Sequence, residues 1–239
     1  MTNNITLNKF HSREELFAEV SNRCEYHLQQ ALLDKGKASF IVPGGTTPAP
    51  VFSQLSKVSL DWKNITIAQS DERWLAADHL QSNQRLTTKN LLINQAKAAK
   101  YIGMKNSHTS ALTGELECCE DYKTLASPFS LTMLGMGLDG HIASLFPDSK
   151  SIIQALDLNN SNLCVAIDAT NCEVAGDYPE RMSLSLSAIL NSHVILLLVT
   201  GDEKLSVIEK AMDSQMSPSL PVSYLFNQDN TPVEIYWCQ

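Results

Sequence analysis

Four short strand-like runs in this chain each end on a cluster of glycine, hydroxyl or charged residues. Ser39–Val42 runs into residues 43–48, Asn64–Gln69 into 70–73, Leu131–Leu134 into 135–141, and Val194–Thr200 into 200–204. Between such runs lie segments with helical periodicity. Leu16, Phe17, Val20, Cys24, Leu28, Ala31 and Leu32 recur at helical spacing behind a Ser12-Arg13-Glu14-Glu15 capping pattern, and Gly36 is positioned to stop that helix. Thr47 and Pro48 form an N-cap and N1 pair for a helix through about Leu55, and Ser82 is placed to cap one running through Leu92. Further strands are expected at Phe129–Leu134, Leu163–Ile167 and Val233–Trp237, and a helix after Gly201-Asp202. Strands that alternate with helices predict a largely parallel, Rossmann-like sheet covered on both faces. In such sheets ligands bind at the carboxyl ends of the strands. The four clusters are therefore predicted to meet at one edge, in one site.

Composition bounds the rest. The chain has 239 residues, 44% of them hydrophobic, which suits a single α/β domain over 1–239. The net charge of −8 argues against a nucleic-acid surface, which requires a basic stripe. It leaves room for a small anionic substrate, since a few local cations and backbone N–H groups can make a positive pocket on an acidic protein. No run is long enough to span a bilayer, and Met-Thr-Asn-Asn carries no signal-like n-region or h-region, so a cytoplasmic protein is expected. Cys24, Cys118, Cys119, Cys164, Cys172 and Cys238 lack C-x-x-C or zinc spacing. They read as buried free thiols, with no metal, disulfide or cofactor expected.

The longest constellation is Leu134-Gly135-Met136-Gly137-Leu138-Asp139-Gly140-His141-Ile142-Ala143-Ser144-Leu145-Phe146-Pro147. Its glycines match G-x-G-x-x-G, but Asp139 would face a pyrophosphate with negative charge, and Pro147 curtails the helix that a dinucleotide site requires. Asp139 and His141, two residues apart on a glycine loop, suit proton chemistry on a small substrate. Gly44, Gly45 and Thr46 read either as an anion nest or as a tight strand-to-helix turn. Arg73, in Asp71-Glu72-Arg73, reads either as a phosphate clamp or as one partner of a surface ion pair. Arg181 and Lys204 are cations whose weight comes only from their nearness to the other clusters.

Together these segments resemble the 6-phosphogluconolactonase family. The resemblance rests on Gly44-Gly45-Thr46-Thr47-Pro48, Asp71-Glu72-Arg73, Ser82-Asn83 with Leu91-Leu92, the Gly135–Pro147 run, Arg181 with Ser183-Leu184-Ser185, and Gly201 with Lys204, in the family's order. Pro43, where the loop often begins with Ser, and Trp74–Ala77, which lacks a Val-Pro, are departures. The resemblance implies a three-layer αβα sandwich shared with sugar-phosphate isomerases and deaminases. It also implies hydrolysis of 6-phospho-D-glucono-1,5-lactone without a cofactor. His141 and Asp139 are the implied catalytic pair, and Gly44, Gly45, Thr46, Asp71, Arg73, Arg181 and Lys204 the implied substrate-binding residues. The related glucosamine-6-phosphate deaminases carry a similar loop that continues to a catalytic Glu; the corresponding position here is Phe146, which cannot transfer a proton. A non-catalytic sugar-phosphate-binding module would keep the cations and dispense with the Asp139–His141 pair.

Overall fold

The computed structural model describes residues 4–239; Met1–Asn3, part of the N-terminal segment read above for a signal, lie outside the described residues. The strands are β1 (Ile5–Phe10), β2 (Ala38–Val42), β3 (Ile65–Gln69), β4 (Asp71–Arg73), β5 (Lys100–Ile102), β6 (Leu131–Leu134), β7 (Cys164–Asp168), β8 (Glu180–Leu184), β9 (Ile195–Thr200) and β10 (Val233–Cys238). The helices are α1 (Arg13–Lys35), α2 (Ala49–Leu55), α3 (Asn83–Asn90), α4 (Ala111–Tyr122), α5 (Ile152–Leu156), α6 (Leu186–Leu190), α7 (Asp202–Met212) and α8 (Ser223–Phe226).

Seven strands form one parallel sheet in the order β1-β10-β9-β6-β2-β3-β5. Successive side chains on a strand point to opposite faces, and the core divides accordingly. Phe40, Val42, Leu131, Met133, Leu196 and Leu198 pack with Leu16, Val20, Cys24 and Leu28 of α1 and with Val51, Phe52 and Leu55 of α2. Ile41, Leu134, Ile195, Leu197 and Val199 face the other way, onto Cys118, Cys119 and Tyr122 of α4 and Ile208 and Ala211 of α7. Both faces are covered, and the three-layer αβα arrangement follows.

The structure adds β1, β4, β5 and β8 and α4, α5, α6 and α8 to the elements read from the sequence, and it places three of the read elements differently. The 163–167 run, expected in the main sheet, is β7, and it joins β8 and β4 in a separate antiparallel sheet, β4-β8-β7. Its Val165 and Ile167 are buried against the α4 side of the core, so they mark burial without revealing which sheet they join. The run from Phe129 enters the sheet only at Leu131; Phe129 makes an isolated bridge to Ser192. Thr47 makes no cap bond: the position before α2 is Pro48, already helical at φ −78°, without a side-chain cap. By contrast, Ser12 accepts from the Glu15 N–H, Gly36 ends α1 at φ 67°, and Ser82 accepts from the Arg85 N–H at the start of α3. All six cysteines are buried.

One ion-pair cluster ties α1 to the sheet. Glu234 on β10 accepts from Arg23 at 3.1 and 2.6 Å and from the Tyr236 hydroxyl at 2.7 Å. Burial alone would raise its carboxyl, but hydrogen bonds from His27, Arg23 and Tyr236 outweigh this and hold it at about 2. An unfolded Glu titrates at about 4.3, so this contribution is complete above that pH and is lost as pH falls through the folded value. Glu234→Gln is expected to cost about 1–2 kcal/mol at pH 7, allowing for partial solvent screening. In urea unfolding at a series of pH values, the gap from the parent protein should close toward pH 2. A gap independent of pH would refute this assignment.

Candidate active site

The carboxyl ends of β2, β6 and β9 open on a cavity of about 310 Å³, within the size range of small-molecule sites. Gly44, Gly45 and Thr47 line it after β2; Gly135, Met136, Gly137, His141, Ala143 and Phe146 after β6; and Lys204 beyond β9. Asp71 and Arg73 of β4 and Arg181 of β8 come from the antiparallel sheet, and Asn83 from the first turn of α3. Thr46, expected among the ligand contacts, is exposed and does not line the cavity; Thr47 does. The side chain that the reading assigned to a helix cap is the one that faces the site. Asp139 does not line the cavity either. It sits behind His141, on the wall of a neighbouring cleft.

The loop after β6 is built around the imidazole. His141 Nδ1 lies 2.6 Å from Asp139 Oδ1, and the same oxygen accepts from the His141 backbone N–H at 3.2 Å. Burial pushes the Asp139 carboxyl up, but the hydrogen bond and charge of His141 outweigh it and hold the group below the usual carboxylate range. An ionised carboxylate can only accept, so Nδ1 carries the proton and Nε2 is left with the lone pair in the neutral ring. Gly140 adopts φ +78°, and Gly137 has no room for a side chain: a Cβ there would sit 2.2 Å from the His141 ring and 2.5 Å from Asp139 Oδ1. Ala143, at φ 48°, holds a left-handed conformation that costs a residue with a Cβ about 1–3 kcal/mol. The loop is pinned across to the second sheet, because Ser144 donates to Asp71 Oδ2 at 2.6 Å and Ser183 Oγ receives the Ser144 N–H at 3.2 Å.

Phe146 fills the space between the two charged ends of the site. Its ring centroid is 4.5 Å from that of His141, and the Arg181 guanidinium carbon stands 5.4 Å from it. Arg181 is buried and donates to Tyr178 O at 2.5 Å and Ala175 O at 2.8 Å. Burial lowers its pKa to about 10, against the attraction of Asp71, so it remains charged at neutral pH. Burial likewise lowers the Lys204 ammonium, opposed by Asp139. Arg73 donates from one nitrogen to Gln81 O at 2.7 Å and to Asn83 Oδ1 at 3.1 Å. Among the described residues, none of these three cations has a carboxylate within ion-pair distance. Arg181, buried, and Arg73 and Lys204, half-buried, outnumber the one carboxylate of the lining, Asp71, and with the backbone of a glycine turn they make a site for an anion. Among the same residues no group of three His, Cys, Asp or Glu side chains has metal-binding geometry.

The sequence reading gave no role to two residues of the matching segments, Asn83 and Glu72. Asn83 packs directly on the turn after β2: a Cβ on Gly44 would lie 2.1 Å from its Oδ1. Glu72, fully buried, accepts hydrogen bonds from five donors around it. The capping serine at 82 was the available signal for Asn83, whose position in the first turn follows from it. Nothing in the sequence marks Glu72 as buried, because an acid between two charged residues reads as surface.

Comparison with known proteins agrees with the fold. The family model described as glucosamine-6-phosphate isomerases/6-phosphogluconolactonase matches residues 11–237. A 6-phosphogluconolactonase of Caulobacter vibrioides is 33% identical, with 98% of each chain covered. The crystal structure of a 6-phosphogluconolactonase from Shewanella baltica is 37% identical and superposes with a TM-score of 0.93, again over 98% of each chain. The same fold recurs in a monomeric glucosamine-6-phosphate deaminase, at 19% identity and a TM-score of 0.76 over 98% of this chain and 97% of the other. The glycine loop carrying Asp139 and His141, the converging cations and these matches lead to one conclusion: the chain belongs to the glucosamine-6-phosphate isomerase/6-phosphogluconolactonase family.

Proposed function

We propose that this protein hydrolyses 6-phospho-D-glucono-1,5-lactone to 6-phospho-D-gluconate, as a single-domain cytoplasmic enzyme that needs no metal or organic cofactor. The observation that carries this reading is the His141 ring, held by Asp139 on one side and packed on Phe146 on the other, in a cavity with three cations that have no ion-pair partner among the described residues. A deaminase of this family uses a carboxylic acid where Phe146 stands. Here that position is apolar and buried, which favours attack by water on a lactone over release of ammonia from an amino sugar. The relatives named 6-phosphogluconolactonase support the same choice.

In this mechanism Arg181, Lys204 and Arg73, with the backbone of Gly44 and Gly45, hold the 6-phosphate. That remote grip fixes the lactone carbonyl against the base. His141 Nε2 takes a proton from water as its oxygen attacks C1. Asp139 keeps the ring in the required tautomer and stabilises the imidazolium that forms. Backbone N–H groups of the glycine loops stabilise the oxyanion on C1. The bond from C1 to the ring oxygen then breaks, and His141 returns its proton to that oxygen. The carboxylic acid product ionises in water. Asp71, held by the Ser70 and Ser144 hydroxyls, is left to orient the substrate and the cations around it.

The protein should release acid from freshly prepared 6-phosphogluconolactone well above the spontaneous rate, and no ammonia from glucosamine-6-phosphate. His141→Ala should lower turnover about 100-fold or more while the protein remains folded. Ammonia release without lactone hydrolysis would reverse the assignment.

Arg181→Ala and Lys204→Ala should each weaken binding of 6-phosphogluconate by about 1.5–3 kcal/mol, the range for a lost charge-assisted hydrogen bond. Isothermal titration measures this directly. Unphosphorylated gluconolactone should be a poor substrate, and equal efficiency on the two lactones would defeat the phosphate-grip argument.

Gly137→Ala leaves every titrating group in place but displaces the imidazole, since the new methyl would lie 2.2 Å from the ring. Turnover should fall about 100-fold, as for a displacement of roughly 1 Å at a reacting group. A fully active Gly137→Ala variant would mean that the His141–Asp139 geometry does not matter to the reaction.

A further inference from the structure

Glu72 lies between two residues of the site, yet faces away from the cavity and is fully buried. No cation pairs with it among the described residues. Its Oε1 accepts from the backbone N–H of Arg73 at 2.9 Å and of Asn83 at 2.8 Å. Its Oε2 accepts from Gln69 Nε2 at 2.7 Å, Ser82 Oγ at 3.0 Å and the Gln84 N–H at 2.8 Å. Two of these donors are first-turn amides of α3, which lack partners inside the helix and carry its positive end. Five donors and a helix end offset the cost of burying an unpaired charge. Burial still drives the carboxyl above its ordinary pKa, against the pull of Gln69, Asn83, Gln84 and Ser82.

This carboxylate joins the end of β3, the strand β4 and the start of α3 at one point. Its effect reaches the cavity through Asn83. The Asn83 amide nitrogen donates to Asp71 O at 2.9 Å, while its oxygen receives one nitrogen of Arg73 at 3.1 Å and packs on Gly44. Only a residue without a Cβ fits under that amide. Asn83 therefore sets both the Arg73 guanidinium and the turn that presents backbone N–H groups to the cavity. A shift in the first turn of α3 would move both.

We infer that Glu72 is a positioning residue for the anion-binding end of the cavity, acting through Asn83 on Arg73 and on the Gly44 turn. The inference rests on the lactonase reading only in taking the anion to be the phosphate of the sugar. The reacting end, at His141, belongs to a separate loop after β6 and is not held by Glu72. The two ends of the substrate should therefore respond differently when Glu72 is changed.

Glu72→Gln is nearly isosteric but places an amide NH₂ among N–H donors. Three kinds of measurement decide the matter: thermal midpoint, binding of 6-phosphogluconate and of inorganic phosphate by titration, and kcat and KM on phosphorylated and unphosphorylated lactones. Positioning predicts that 6-phosphogluconate binds about ten-fold more weakly, that KM for the phosphorylated lactone rises by a similar factor, and that constants on the unphosphorylated lactone are unchanged. A role in stability alone predicts a lower thermal midpoint with binding and KM unaltered, and that result overturns the inference. If Glu72→Gln does not fold, Asn83→Ala decides, since it removes the relay and leaves the carboxylate its backbone donors; wild-type anion binding in that variant also overturns it. Should the parent protein hydrolyse neither lactone, the lactonase reading falls, while the anion titrations still test Glu72. Failure of the parent to bind either anion would remove the anion-binding end itself and the inference with it.

Discussion

β6 is paired in parallel on both sides, with β2 and with β9, and the site depends on that pairing. Parallel neighbours end at the same edge of a sheet. The loops after β2, β6 and β9 are therefore brought to one place by backbone hydrogen bonding before any site residue contributes. Burial of both faces makes this register hard to shift: a one-residue slip would turn Leu131 and Met133 away from α1, and Leu134 away from the core on the other side.

The antiparallel sheet adds what the parallel sheet cannot supply. β4 and β8 pair Arg73 with Arg181 directly, so two guanidinium groups enter the cavity from adjacent strands. Like charges set opposite each other are unfavourable, and Arg181 is also desolvated. This electrostatic strain is tolerated because both groups are held by carbonyl and amide oxygens, and Arg181 by the face of Phe146 as well. An arriving dianion would relieve it. Ser144 on the loop after β6 reaches Asp71 on β4, so the loop that carries His141 and the strand that carries Arg73 are joined on one connected frame.

Much of this was legible in the residues. Ser12 and Gly36 bounded α1, Ser82 marked the start of α3, and apolar runs marked β2, β3, β6, β9 and β10, five of the seven strands of the main sheet, because capping chemistry and short apolar runs are local. The separate sheet was not legible. Cys164–Asp168 has the same buried, apolar character as a strand of the main sheet, and its partner β8 begins with two charged residues, Glu180 and Arg181. The division of labour between Thr46 and Thr47 was also hidden, since which of two adjacent hydroxyls faces the cavity depends on the turn adopted after Gly45.

The sequence by itself determined the secondary-structure alternation, the parallel sheet that follows from it, and the chemical inventory of one glycine loop and three cations; all are set by residue type and short-range spacing. Only the tertiary structure decided that Asp139 stands behind His141 and not in the cavity, that Phe146 separates the imidazole from Arg181, and that Glu72 is a buried anchor rather than a surface acid. Those roles depend on which groups are desolvated and which donors surround them, and the donors to Glu72 come from Gln69 and Arg73 on one side and from Ser82, Asn83 and Gln84 on the other, a neighbourhood that exists only once α3 has docked against β4.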